Sequence, residues 1–191
     1  RPKSSAASDV YKRQLLNSVD KIIFITKWVK RKFFEGLPSL SDNKTQIIYH
    51  SIDPFKKKIK KNKQIIFVGK LNESKGYDLY CKAMFKILDS NKDWNAYSIG
   101  EEKRFQNFPT HSRHKSLGQI SHSKVLEYLG KSEIAIIPSR WEEPFGRTAM
   151  EASSRDCATI ISKKGGLPET TDHAIKLKNL DVKNIENETI N

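Results

Sequence analysis

The 191-residue chain has only two cysteines and two methionines, and it contains no apolar run near the roughly 18 residues that a membrane-spanning helix needs. Cys81 and Cys157 are too few for a disulfide framework, and no secretory signal is evident, so the chain reads as one from a reducing, cytoplasmic compartment. Each cysteine lies in an apolar context and reads as core, not as a nucleophile. Metal-ligand spacing is missing too. His111 and His114 sit in a polar loop with no cysteine or acid at the right distance, which argues against a structural zinc. His50, His122 and His173 are isolated and read as structural. Neither the Walker loop nor the GxGxxG fingerprint occurs.

Acid is also scarce: 35 Lys and Arg against 22 Asp and Glu leave a net charge of +13. Residues 1–14 supply +3 of it, and "KKKIKKNK" supplies +6 through Lys56, Lys57, Lys58, Lys60, Lys61 and Lys63. That run is either a solvated linker or a patch for anionic lipid or nucleic acid. No aromatic residue interleaves with its lysines, which weakens single-strand binding, and no nucleic-acid partner is expected. "SSAASDVYKRQ" (4–14) has no apolar period and resembles an in-frame translation of a transposon-type sequencing adapter, so residues 1–14 are not expected to belong to the native fold. The expectation is a native protein longer at its N-terminus. "IENETIN" at the other end carries no closing element, which implies a cut there as well.

From Lys21 onward, short apolar runs alternate with amphipathic stretches. "KIIFI" reads as a buried strand, and Thr26 caps a helix through "KWVKRKFFEG". "QIIYH" reads as a strand, and a boundary is expected in the lysine run. A regular order then follows, with strands at "QIIFVG", "WNAYSIG", "HKSLG", "EIAIIPS", "CATIIS" and "HAIKL". Helices fall at "GYDLYCKAMFKIL", "SHSKVLEYLGK" and "GRTAMEASSR". Continuously apolar strands indicate burial on both faces. The fold class expected is α/β, an open and mostly parallel sheet with helices on both faces, covering residues 64–191. Residues 15–52 form a smaller preceding piece, joined by a linker at 53–63.

In such sheets ligands bind beyond the carboxyl ends of the strands, which selects the loops after Val68, Ile99 and Ile137. In the first, Lys70 and Lys75 bracket a turn that opens a helix, a setting suited to a diphosphate. The third reads "WEEPFGRTAME". Pro144 pushes Glu143 out of helical geometry, and Gly146 allows close backbone approach. A helix from about Arg147 then carries Glu151 in its second turn. The residues allow two readings: a pair of ligand-binding carboxylates around free amides, or a first-turn Glu with an exposed helix Glu. Nearby cations would keep Glu143 ionised, which is wrong for the general acid of a glycosidase. "GGLPE" (165–169) adds another loop at the same edge, either a close-approach loop or an ordinary β–α turn.

Four of these pieces, in order, resemble one family. "IIYHSID", "FVGKLNESKGYDL", "SEIAIIPSRWEEPFGRTAMEA" and "GGLPE" are similar to the nucleotide-sugar-binding, C-terminal half of the family 4 (group 1) glycosyltransferases, which have the GT-B fold. The likeness runs from about Asp20 to Leu177 and implies a Rossmann-like donor domain with a remnant of the N-terminal acceptor domain. It assigns Lys70 and Lys75 to the donor diphosphate and Glu143 to hydroxyls of the transferred sugar. Backbone amides around Phe145, Gly146, Arg147 and Thr148 would hold sugar and phosphate oxygens, Glu151 the ribose, and Ile120 would lie near the nucleobase. The family is retaining and generally needs no metal or other cofactor. The implied partners are a nucleotide-sugar donor and a polysaccharide, lipopolysaccharide or glycolipid acceptor, the latter held by the N-terminal domain. Peripheral association with an anionic inner-membrane face is a further option.

This sequence departs from the pattern in places. Lys70 stands where Arg is common, His50-Ser51 replaces Asn-Gly, and Asp156 and Ala158 occupy positions where Gly and Pro are frequent. Asp tolerates a left-handed cap better than most residues. The remaining alternatives are another GT-B enzyme, such as a sugar-nucleotide epimerase, and a non-catalytic basic module that binds through the lysine run. A fragment of this kind is expected to bind nucleotide weakly and transfer nothing by itself.

Overall fold

The computed structural model describes residues 6–35, 43–53, 55, 59–102, 104, 108 and 110–190. The chain divides into two units, Arg1–Ser51 and Ile52–Asn191.

In the first unit, helix α1 (Ala6–Ser18) precedes strand β1 (Ile22–Phe24), helix α2 (Lys27–Phe34) and strand β2 (Thr45–Ile47). Helix α1 runs through most of the adapter-like segment. Thr26 caps α2 as expected, its hydroxyl accepting from the Val29 amide at 3.1 Å. β1 and β2 pair in parallel. The expected burial of "KIIFI" is only half right. Phe24 is buried against the rings of Phe33 and Phe34, while Ile23 is 57% exposed. A two-stranded ribbon leaves one face uncovered, and Ile23 points to that face.

The second unit holds strands β3 (Asn62–Val68), β4 (Asn95–Ile99), β5 (His114–Ser116), β6 (Ser132–Ile137), β7 (Ala158–Ile161) and β8 (Ile175–Lys176). Its helices are α3 (Tyr77–Ser90), α4 (His122–Lys131), α5 (Arg147–Ser153) and α6 (Val182–Ile190). The sheet order is β5-β4-β3-β6-β7-β8, and every pairing is parallel. Successive side chains of β3 point to opposite faces, so Ile65 and Phe67 enter a core with α3 and α6, and Ile66 enters one with α4 and α5. Two covered faces account for the unbroken apolar strands. Each large buried side chain there contributes about 1.5–3 kcal/mol. Asp156 takes the left-handed conformation between α5 and β7, with φ 58°.

The C-terminal stretch forms α6 against α3: Ile185 is fully buried, and Glu186 pairs with Lys86 of α3 at 3.0 Å. One expectation is corrected: the lysine run is not a uniformly solvated linker. Lys56, Lys57 and Lys58 lie outside the described residues. Lys61 Nζ donates to the carbonyls of Ser132 (2.8 Å) and Arg155 (2.6 Å), which lie where α4 and α5 end. There the ammonium meets the negative ends of both helices. Lys63 already belongs to β3 and pairs with Asp93.

Candidate functional site

The chain runs outward from β3 through β4 to β5, then returns to β6 on the other side of β3. The loops leaving β3 and β6 therefore diverge, and the crevice between them is the topological switch point. In the β3 loop, Asn72 caps a 3-10 turn at Glu73–Lys75, its side chain accepting from the Lys75 amide at 3.1 Å. The β6 loop is fastened to that turn, since the amides of Arg140 and Trp141 both donate to the Ser74 carbonyl at 2.9 Å. Arg140 also forks onto the Asp78 carboxylate.

This fastening brings Lys75 and Glu143 together, 68 residues apart in sequence, with Nζ 2.5 Å from Oε1. The buried Ser139 hydroxyl donates to the same carboxylate oxygen at 2.9 Å. The pair is mostly shielded, with side-chain exposures of 28% and 15%. "GGLPE" clamps the backbone of this loop: the Gly166 amide donates to the Glu143 carbonyl at 2.6 Å. Gly165 has φ 65°, and a Cβ there would meet that carbonyl oxygen at 2.3 Å, so only glycine fits.

Gly146 begins α5 with φ 99°, and a Cβ there would strike Leu167 at 2.4 Å. Phe145 is buried beside it, so its side chain anchors the turn and only its backbone is presented. The amides of Arg147 and Thr148, in the first turn of α5, lack intrahelical acceptors. Glu151 is buried, which excludes the exposed-helix reading of that residue. Its Oε1 lies 3.0 Å from His122 Nε2 and 3.5 Å from the Arg147 guanidinium. His122 is thus in contact with Glu151, not isolated as its sequence context suggests.

Beside these clusters a cavity of about 540 Å³ opens at the carboxyl ends of β3 and β4. Of the residues singled out in the sequence, Lys70 and Ile120 line it. Gly69, Gly100, Glu101, Glu102, Arg104 and Gln119, which the sequence did not flag, line it too. Glu102 accepts from Asn72 Nδ2 at 3.2 Å. That bond, the Arg104 amide and the charges of Arg104 and Lys70 hold its carboxyl below the usual range. Lys70 is exposed at the rim.

Among the described residues no group of three or more His, Cys, Asp or Glu could hold a metal ion. Cys81 and Cys157 are buried, and burial pushes both thiols up to about 11, which suits core residues. His114 is not in a polar loop: it packs against the rings of Tyr77, Tyr80 and Phe85. No helix among the described residues is long and apolar enough to cross a membrane.

Residues 50–186 match the profile of the family described as Glycosyl transferases group 1. The chain belongs to that family. It is 27% identical over 162 residues to an uncharacterized 42.6 kDa protein in the cps region of Klebsiella pneumoniae, covering 83% of this chain and 42% of that protein. It is also 27% identical over 183 residues to an uncharacterized glycosyltransferase of Methanocaldococcus jannaschii, covering 87% and 47%. This group 1 chain therefore spans under half the length of these relatives. A solved glycosyltransferase from Rickettsia africae superposes with TM-score 0.80 at 17% identity, over 97% of this chain and 56% of that one. Anabaena HepE in complex with UDP and glucose gives TM-score 0.76 at 16% identity, over 97% and 56%. At such identities the likeness is one of fold, and it is the GT-B type.

Proposed function

We propose that this group 1 chain is the donor-binding half of a retaining glycosyltransferase. The enzyme moves a sugar from a nucleoside-diphosphate sugar to a polysaccharide, lipopolysaccharide or glycolipid acceptor. One observation carries the reading. The Lys75–Glu143–Ser139 cluster and the Glu151–His122–Arg147 cluster flank the start of α5, at the sheet edge where the 540 Å³ cavity opens. Cations, uncommitted amides and two carboxylates there suit phosphates and hydroxyls together. The UDP and glucose in HepE support a donor of this class. The relative in the cps region and another named spore coat protein SA, from Bacillus subtilis, support an envelope glycan as acceptor.

In this reading the nucleobase enters the cavity near Ile120, and Glu151 accepts from the ribose hydroxyls. Lys70, Lys75 and the amides of Gly146, Arg147 and Thr148 bind the diphosphate, and Glu143 takes hydroxyls of the sugar. Lys75 is neutralised by Glu143, so Lys70 supplies the net positive charge. The nucleoside diphosphate departs while the acceptor attacks from the same face. Stabilising charge on the leaving phosphate is then the main catalytic task. The reading gives no role to a metal. Alone, the 191-residue chain is expected to bind nucleotide weakly and transfer nothing, and robust transfer by it would contradict the assignment. The rival reading, a basic module acting through the lysine run, is weakened because Lys61 is held inside the fold and Lys63 is paired with Asp93 at the surface.

Calorimetric titration of UDP-, GDP- and ADP-sugars into wild type and Glu151→Ala tests the proposal. Saturable binding of at least one donor, weakened in the variant, supports it. Equal response by both proteins removes the ribose role, and no response by either removes the donor site.

A further inference from the structure

Glu151 is a buried carboxylate with its two oxygens in unequal states. Oε1 takes both protein partners, His122 at 3.0 Å and Arg147 at 3.5 Å. Oε2 takes no hydrogen bond from the described residues, which leaves that oxygen for a ligand hydroxyl. The Arg147 contact is the weaker of the two. It is longer, it comes from the same helix four residues away, and the guanidinium side chain is 68% exposed. The His122 contact ties α5 to the first residue of α4. His122 stands two residues after Ile120, which lines the cavity together with Gln119. Its own side chain is 59% exposed, so little packing depends on it.

We propose that His122 is a positioning residue that orients the Glu151 carboxylate, and that it thereby sets the preference of this chain for ribonucleotides over 2′-deoxyribonucleotides. The proposal rests on the reading above that Glu151 accepts from ribose. With Oε1 held by the imidazole N–H, Oε2 is fixed in place before the ligand arrives, and the carboxylate need not be ordered on binding. A site built around an ordered, buried acceptor discriminates strongly against a ligand that lacks the matching hydroxyl, because the acceptor is then left unpaired. A carboxylate free to turn would lose much of that discrimination while still tolerating either sugar. An ion pair that served folding alone would change stability and leave the ratio of the two affinities untouched.

The test is a comparison of Kd values by calorimetry. UDP, GDP and ADP are titrated into wild type, and the tightest binder is then compared with its 2′-deoxy counterpart. Wild type is expected to favour the ribonucleotide about tenfold or more, the size of one charge-assisted hydrogen bond. His122→Phe is expected to bring that ratio below about twofold, with the deoxynucleotide affinity unchanged. His122→Gln, whose amide can donate to Glu151, restores most of the preference. A wild-type ratio in His122→Phe, or an equal loss of both affinities, overturns the positioning role. Glu151→Gln separates the two levels of the argument. If it loses the ratio while His122→Phe keeps it, only the histidine proposal fails. If wild type binds no nucleotide or shows no ribose preference, or if Glu151→Gln keeps the ratio, the ribose reading fails and the proposal with it.

Discussion

Neutralising Glu143 tightens the binding of a bare nucleoside diphosphate, although Glu143 belongs to the proposed site. Its carboxylate lies 2.5 Å from Lys75 Nζ and cancels the charge of the cation assigned to the diphosphate. A phosphate oxygen docked on Lys75 would sit about 5 Å from that carboxylate, and between the dielectric constants of bulk water and of a protein surface, about 80 and about 20, the two charges repel by about 1–3 kcal/mol. Glu143→Gln removes the repulsion while keeping an amide that still reaches Lys75 and Ser139. The expected gain is about fivefold or more in Kd for UDP, GDP or ADP, whichever binds, at low salt. It shrinks as added salt screens the charges. The matching nucleotide sugar loses the carboxylate that holds its hydroxyls, so its affinity relative to the bare diphosphate falls. Lys75→Met acts in the opposite direction and weakens the diphosphate by about tenfold or more. Calorimetry at two salt concentrations reads all of these. Weaker diphosphate binding in Glu143→Gln at low salt would refute the electrostatic argument, because the carboxylate would then be aiding the phosphate.

Two further outcomes concern stability. Lys61→Met removes the ammonium from the carbonyls of Ser132 and Arg155, and it is expected to cost the second unit about 2–3 kcal/mol in urea unfolding; a loss near zero would mean that water replaces the lysine. His114 is held neutral in the fold, its pKa pushed from 6.5 down to about 4 by burial first and by the charge of His111 second. Between those values the unfolded chain binds the extra proton, so stability is full above about pH 6.5 and falls as pH drops toward 4, by on the order of 2 kcal/mol after allowing for partial exposure. His114→Phe is expected to flatten that slope, and an unchanged slope would assign it to other groups.

The parts legible in the sequence were those with a local cause. "EIAIIP" announced a strand buried on both faces because Ile134, Ile136 and Ile137 serve two cores at once. Pro144 and Gly146 announced the turn that separates Glu143 from Glu151, and Asp156 announced a left-handed cap. What escaped depends on contacts distant in sequence. His122 meets Glu151 across 29 positions and two helices. The acceptors of Lys61 are backbone carbonyls, which carry no sequence signature. The polar walls of the cavity come from three separate loops. Helix α6 was hidden because "VKNIENETI" buries only Ile185 fully, so its apolar period is faint.

Hydrogen–deuterium exchange of the chain, with and without saturating UDP, GDP or ADP, asks whether the carboxyl edge of β3, β4 and β6 binds a nucleoside diphosphate. One of these nucleotides is expected to slow exchange in residues 69–76, 117–122 and 145–151, and Lys75→Met to remove most of this protection. Protection confined to the lysine-rich segment 56–63, or none with any nucleotide, would contradict binding at that edge.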